Sequence, residues 1–226
     1  MRSLKALTVA TAVLLATAAS ANVTVVRSAG ASARNYPPGT SLPDSATLRL
    51  GTGDSVMVLG ARGTRTFRGP GTFRLDAPVR PQSIAQAIGR PTVRSRVGAV
   101  RGTSPGASDI WNVDISRGGN VCVLDTTRIE LWRPRAATPS SVVVRGPDGT
   151  PATVEFAAGR STGAWPASVP VRPSGEYRIG GASDPVSIRL IAVQPVPSND
   201  QETATLLIRN GCEAQLERLL AATPEG

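Results

Sequence analysis

Turn signals recur along this chain about every ten residues, a spacing that suits short strands joined by tight turns and leaves little room for long helices. Between Asn22 and Asp76 the segments VTVVR, TLRL, SVMVL, RTFR and TFRL alternate apolar with polar side chains. Pro37-Pro38-Gly39, Leu42-Pro43-Asp44, Gly51 to Asp54, Gly60 to Gly63 and Gly69-Pro70-Gly71 separate them. The 23 glycines and 19 prolines of the 226 residues supply this punctuation throughout. Gly51-x-Gly53 and Gly69-x-Gly71 open no helix and precede no Gly-Lys-Ser/Thr, so they read as hairpin turns and not as phosphate loops.

From Asp109 a second series follows: IWNVDI, NVCVL, RIELW, SVVVR, ATVEF, EYRI and SIRLIAV. Arg145 to Gly149 and Arg172 to Gly175 mark turns within it. About seven strands in some 85 residues predict an immunoglobulin-like β-sandwich over 109–197, on strand count alone. In RIELW, Ile129, Leu131 and Arg133 share one face, which places Trp132 on the other. The period changes after Ser198, where Ala204, Leu207, Ile208, Cys212, Leu216, Leu219 and Leu220 fall at helical spacing. Asn210-Gly211 divides this stretch, so 198–226 is expected to form a short helical pair, capped first at Ser198 and turned at Gly211, packed on the sandwich. The fold class predicted is mainly β.

Residues 1–21 read as a secretory leader. Arg2 and Lys5 precede an apolar run, and Ala19-Ser20-Ala21 forms a small-residue cleavage site, so cleavage is expected before Asn22. The expected location is periplasmic or secreted, with no membrane-spanning segment once the leader is removed. Export places Cys122 and Cys212 where thiols oxidise, and an even pair there predicts one disulfide. Closing a loop of that length contributes about 4–5 kcal/mol on a chain-entropy basis.

The order valine-rich strand, Tyr36-Pro-Pro-Gly-x-x-Leu-Pro-Asp44, strand, Gly53-Asp54, strand, then Gly69-Pro-Gly-Thr-Phe73 resembles the FecR-type periplasmic domain over 22–76. The likeness rests on Val23 to Arg27, Gly39 to Asp44, Gly53-Asp54 and Gly69 to Phe73, about a quarter of the chain. It implies an extracytoplasmic β-rich module used in signalling or envelope assemblies, with no catalysis of its own. The cytoplasmic anti-sigma segment and membrane span of a full FecR sensor have no counterpart in the pattern, so that family's regulatory output is not carried over.

Charge divides the chain unevenly. Residues 22–101 carry 12 arginines and three acids, whereas 102–226 carry 11 arginines and 13 acids. The basic Pro/Gly/Arg-rich stretch 77–108 reads as a linker, with Arg90, Arg94, Arg96 and Arg101 as candidate anion-binding residues for an anionic lipid or acidic glycan. The leader argues against nucleic acid as a partner. With no histidine, and Lys5 in the leader as the one lysine, neither Ser-His-Asp nor Ser-Lys chemistry can be built, nor a His-ligated zinc site. Carboxylates alone remain as general acids. Asp109 and Asp114 flank Trp111, and Glu130 lies two residues before Trp132, a pattern that also suits a sugar site. No catalytic, cofactor or metal residue is assigned. The expectation is a non-enzymatic exported interaction, scaffold or sensing protein of the envelope with an envelope protein as partner. The alternative is a carbohydrate or cell-wall binding protein, or a carbohydrate-active one, using Trp111, Trp132 or Trp165. An open cleft with two carboxylates beside a tryptophan would favour that alternative.

Overall fold

A computed structural model describes residues 22–78, 110–181 and 184–226. It is mainly β, with two short C-terminal helices. The leader, most of the basic stretch with its four candidate arginines, and Asp109 lie outside the described residues.

The N-terminal unit holds β1 (Asn22–Ala29), β2 (Ser41–Pro43), β3 (Thr47–Leu50), β4 (Ser55–Gly60), β5 (Gly63–Arg68) and β6 (Gly71–Arg74). Strands β2-β1-β4-β5 form an antiparallel sheet, and β3 pairs with β6. Alternation works as expected on one face: Val23, Val25, Val56, Val58 and Phe67 close over Leu48, Leu50 and Leu75. Val23 to Val26 are nevertheless buried without a break. A register shift between Val25 and Arg27 accompanies this, and Val26 turns to the opposite face with Leu59. A strand buried on both faces needs a covering layer on each side. Strand β2 comes from Leu42-Pro43, which the sequence presents as a turn; its proline is tolerated because β2 is an edge strand.

The second unit contains β7 (Val113–Asp114), β8 (Gly119–Val123), β9 (Glu130–Trp132), β10 (Ser140–Arg145), β11 (Pro151–Phe156), β12 (Thr162–Ala164), β13 (Glu176–Gly180) and β14 (Val186–Ala192). A five-stranded sheet, β11-β10-β13-β14-β8, packs on the three strands β12-β9-β7. Val144, Phe156, Tyr177, Ile179 and Leu190 of the larger sheet meet Val113 and Leu131 of the smaller one in a single core. β8 runs parallel to β14, and β7 parallel to β9. The segment IWNVDI, expected as a strand, is a turn at 110–112 followed by the two residues of β7. The face assignment in RIELW is right, with an unusual occupant. Arg133 is 4% exposed, and its guanidinium donates to the carbonyls of Ala136, Thr138, Ala157 and Arg160 and to the Ser140 hydroxyl. That set of acceptors makes a buried cation tolerable without a carboxylate beside it.

Helices α1 (Asp200–Arg209) and α2 (Glu213–Ala222) join the two units. The first is capped at Asn199, one residue past the expected Ser198: Asn199 Oδ1 accepts from Glu202 N at 2.9 Å, and Glu202 reaches back to the Ser198 amide. It ends as expected at Gly211 (φ 65°), with Gly211 N bonded to Ile208 O and Cys212 N to Leu207 O. That is the two-bond helix stop for which a left-handed residue is required. Ala204, Leu207, Leu216 and Leu219 pack with Val26 and Leu59 from the first unit and with Cys122 and Val193 from the second. The tail therefore lies on both units, where the apolar spacing alone suggested the sandwich. Cys122 and Cys212 are disulfide-bonded, with Cα atoms 5.9 Å apart.

Polar contacts repeat this arrangement. Gln215, 2% exposed, accepts from Cys122 N at 2.7 Å and donates to Cys122 O and Ile110 O, each at 2.8 Å. Its amide takes the place of another strand on the outer edge of β8. On the other side, Gln201 Nε2 donates to Asn22 O and Leu59 O of the first unit. Among the described residues, no helix is long and apolar enough to cross a membrane.

Candidate functional site

Two surfaces combine exposed chemistry with a built frame. The first is the outer edge of β5. Beyond α2 the chain extends, and Glu225 pairs in parallel with Thr64. Thr64 N donates to Pro224 O at 2.9 Å, and Gly226 N donates to Thr64 O at 3.0 Å. Gly63 permits this approach: its φ is 118°, and a Cβ there would lie 2.2 Å from Pro224 O. Strand periodicity turns Thr66 to the same edge as Thr64. The edge from Thr64 to Arg68 borders a cleft of about 270 Å³ closed at one end by Glu225 and Gly226. Arg65 does not enter this edge; it lies over the Phe67 ring, 4.9 Å from its centroid, and donates to Leu75 O.

The second surface is an open cleft of about 810 Å³ beside β9, into which Trp111, Trp165, Asp125 and Glu130 face. Trp165 donates through Nε1 to Val169 O at 2.9 Å and meets Tyr177 edge-on, with ring centroids 5.0 Å apart. Trp111 sits in the turn 110–112, which Gln215 and Arg218 hold through the carbonyls of Ile110 and Asn112. Asp125 accepts from the hydroxyl and amide of Thr127, and these bonds hold its carboxyl below the usual carboxylate range.

The structure thus brings together Trp111 and Trp165, which are 54 positions apart in sequence, with Glu130 between them in the chain. Trp132 stands apart from this cleft, with the Arg218 guanidinium over its ring at 5.3 Å. Asp114, the partner suggested for Trp111, is buried and accepts from Ser116 N and Oγ. Asp125 joins the cleft although its triplet Asp-Thr-Thr carries no sugar-site signature. Among the described residues, no group of three or more His, Cys, Asp or Glu is placed to hold a metal ion.

In the first unit, Asp54 is 4% exposed and ties the 51–54 turn to the segment after β1. It accepts from the Ser32 hydroxyl and from Gly51 N, and these bonds keep its carboxyl below the ordinary value of 3.8. A carboxylate depressed in the folded state contributes stability above its ordinary value and loses it as pH falls through the folded value. Asp54→Asn should therefore lower the thermal midpoint at neutral pH and flatten its decline below about pH 4 relative to the unaltered chain. Parallel declines in the two proteins would show that Asp54 contributes nothing to acid sensitivity.

Fold and surfaces together define a disulfide-stapled protein of two β units joined by a helical pair. The chain matches no protein-family model, and no curated protein or solved structure matches it.

Proposed function

We propose that this chain is an exported, non-enzymatic interaction module of the cell envelope whose protein partner adds an extended segment to the edge of β5. The observation that carries this reading is the parallel seating of Pro224 to Gly226 on Thr64, an instance of strand addition within one molecule. Strand addition takes its affinity from main-chain hydrogen bonds and its selectivity from side chains at alternate positions. The described N-terminal unit carries seven arginines and three aspartates, so an acidic segment suits this edge. Leader-like residues before Asn22, the likeness of 22–76 to the FecR-type domain, and a disulfide of the kind that persists in oxidising compartments support the envelope as its location.

A photo-crosslinking residue at Arg68, introduced in the intact exporting cell, tests the reading. A discrete protein adduct is expected, and it should disappear in a Thr66→Pro background. Proline removes an outward N–H there and leaves the bonds between β4 and β5 in place. An adduct that survives Thr66→Pro, or no adduct, overturns strand addition at this edge. Mass spectrometry of the exported protein should give a chain beginning at Asn22 without free thiols; a retained leader would overturn the proposed processing.

A further inference from the structure

We propose that the cleft between Trp111 and Trp165 binds a neutral oligosaccharide. Pyranose rings present C–H faces that lie on aromatic planes, and rims of hydroxyls that pair with planar amide, carboxylate and guanidinium groups. The cleft offers both. Trp111 and Trp165 are half-buried and line the cleft, Trp111 packed on the layer between the units and Trp165 on the sandwich core. Asn112, Asp125, Arg128 and Glu130 stand around them. Its volume, about 810 Å³, lies within the range of small-ligand sites.

The walls are fixed before any ligand arrives. Trp165 is held by Val169 O and by the Tyr177 ring, and Tyr177 is itself anchored: its hydroxyl accepts from Arg172 N at 2.7 Å and donates to Pro170 O at 3.0 Å. Trp111 is held through both of its chain neighbours, Ile110 and Asn112, by α2. Asp125 is aimed by Thr127. A frame ordered in advance avoids the entropic cost of arranging these groups on binding. Trp132 is half-buried as well, but its ring lies under the Arg218 guanidinium and it does not line this cleft.

Charge selects among glycans. The polar groups of the cleft include two carboxylates and one guanidinium, a balance that disfavours acidic sugars and supplies acceptors for neutral hydroxyls. This cleft is on the sandwich, and the proposal does not rest on strand addition at β5.

Tryptophan fluorescence of the full exported chain reads the site directly, since the chain has three tryptophans and two of them line it. Titration with cellotetraose and with tetra-N-acetylchitotetraose should give a saturable change for at least one, insensitive to salt. Trp111→Ala should weaken that binding about tenfold, the scale of losing one stacking surface. Glu130→Gln tests the rim without altering the rings and should weaken binding severalfold, with an unchanged thermal midpoint confirming the fold. No saturable response to either tetrasaccharide, by fluorescence or calorimetry, overturns the proposal. So does binding that Trp111→Ala leaves intact, or a preference for an anionic polysaccharide that salt abolishes. The Arg68 crosslink reads a different unit, so the two proposals fail separately.

Discussion

Replacing Cys122 and Cys212 together by alanine lowers the thermal midpoint by roughly 10–15 °C. The bridge spans a sequence separation of 90, and releasing a loop of that size from the denatured chain costs about 4–5 kcal/mol. For a protein of this size each kcal/mol corresponds to about 2–4 °C. Both sulfurs are fully buried beside Leu207, Leu216 and Val193, so alanine also leaves a small void in the layer between the units. Calorimetric scans with and without reductant check this. Reductant should bring the midpoint of the unaltered protein most of the way to that of the alanine variant, the void accounting for the rest, and leave that variant unchanged. A midpoint insensitive to both treatments would mean that the helical pair holds its place without the bridge.

Gln215→Leu destabilises the protein by about 3–4 kcal/mol, because leaving a buried donor or acceptor without its partner costs about 1–3 kcal/mol and two such groups are left on Cys122. Leucine preserves bulk, so the loss reports hydrogen bonding more than volume. The replaced amide also holds Ile110, and the loss should extend to the turn that carries Trp111. Denaturant unfolding gives the free energy, and hydrogen exchange gives its place. Faster exchange at the Cys122 amide is expected in the variant. A loss below 1 kcal/mol would show that water replaces the side chain at the β8 edge.

Much of this architecture is legible in the sequence, for local reasons. Val154 and Phe156 alternate with Thr153 and Glu155 and occupy the sandwich core as that alternation requires, beside Val142 and Val144 from a β-branched run. Gly211 stops α1 because Asn-Gly interrupts an apolar helical stripe, and the pairing of Cys122 with Cys212 follows from there being two cysteines. Strand β12 carries no such signal, since Thr162-Gly-Ala has no apolar alternation and no large side chain, and it exists through its pairing with β9. Helical spacing at Ala204 and Leu207 announces burial without naming the surface they meet. The signal for that surface lies elsewhere, in the unbroken Val-Thr-Val-Val of β1, which needs cover on both faces.

The candidate sites are less legible. Their parts are distant in sequence and are brought together by the fold. Trp111 and Trp165 converge through a turn held by α2 and a loop anchored on Tyr177. Asp114, adjacent in sequence, turns inward to Ser116. The strand-accepting edge of β5 has no motif at all: it depends on Gly63 admitting the backbone of Pro224, 161 positions away. The arginines at 90, 94, 96 and 101 lie outside the described residues. Anionic lipid or acidic glycan as their ligand remains a proposal resting on charge.

Helices α1 and α2, with the extended residues after them, bind the two β units into one body. A specific protease site placed between residues 79 and 109 tests this most directly. After complete cleavage, the fragment bearing β1–β6 should co-elute with the fragment bearing the sandwich and helices in gel filtration. It should stay bound because Val26 and Leu59 are buried against α1 and Thr64 is paired with Glu225. Separation of the cut fragments under native conditions would contradict this arrangement, leaving the helical pair as an appendage of the sandwich alone.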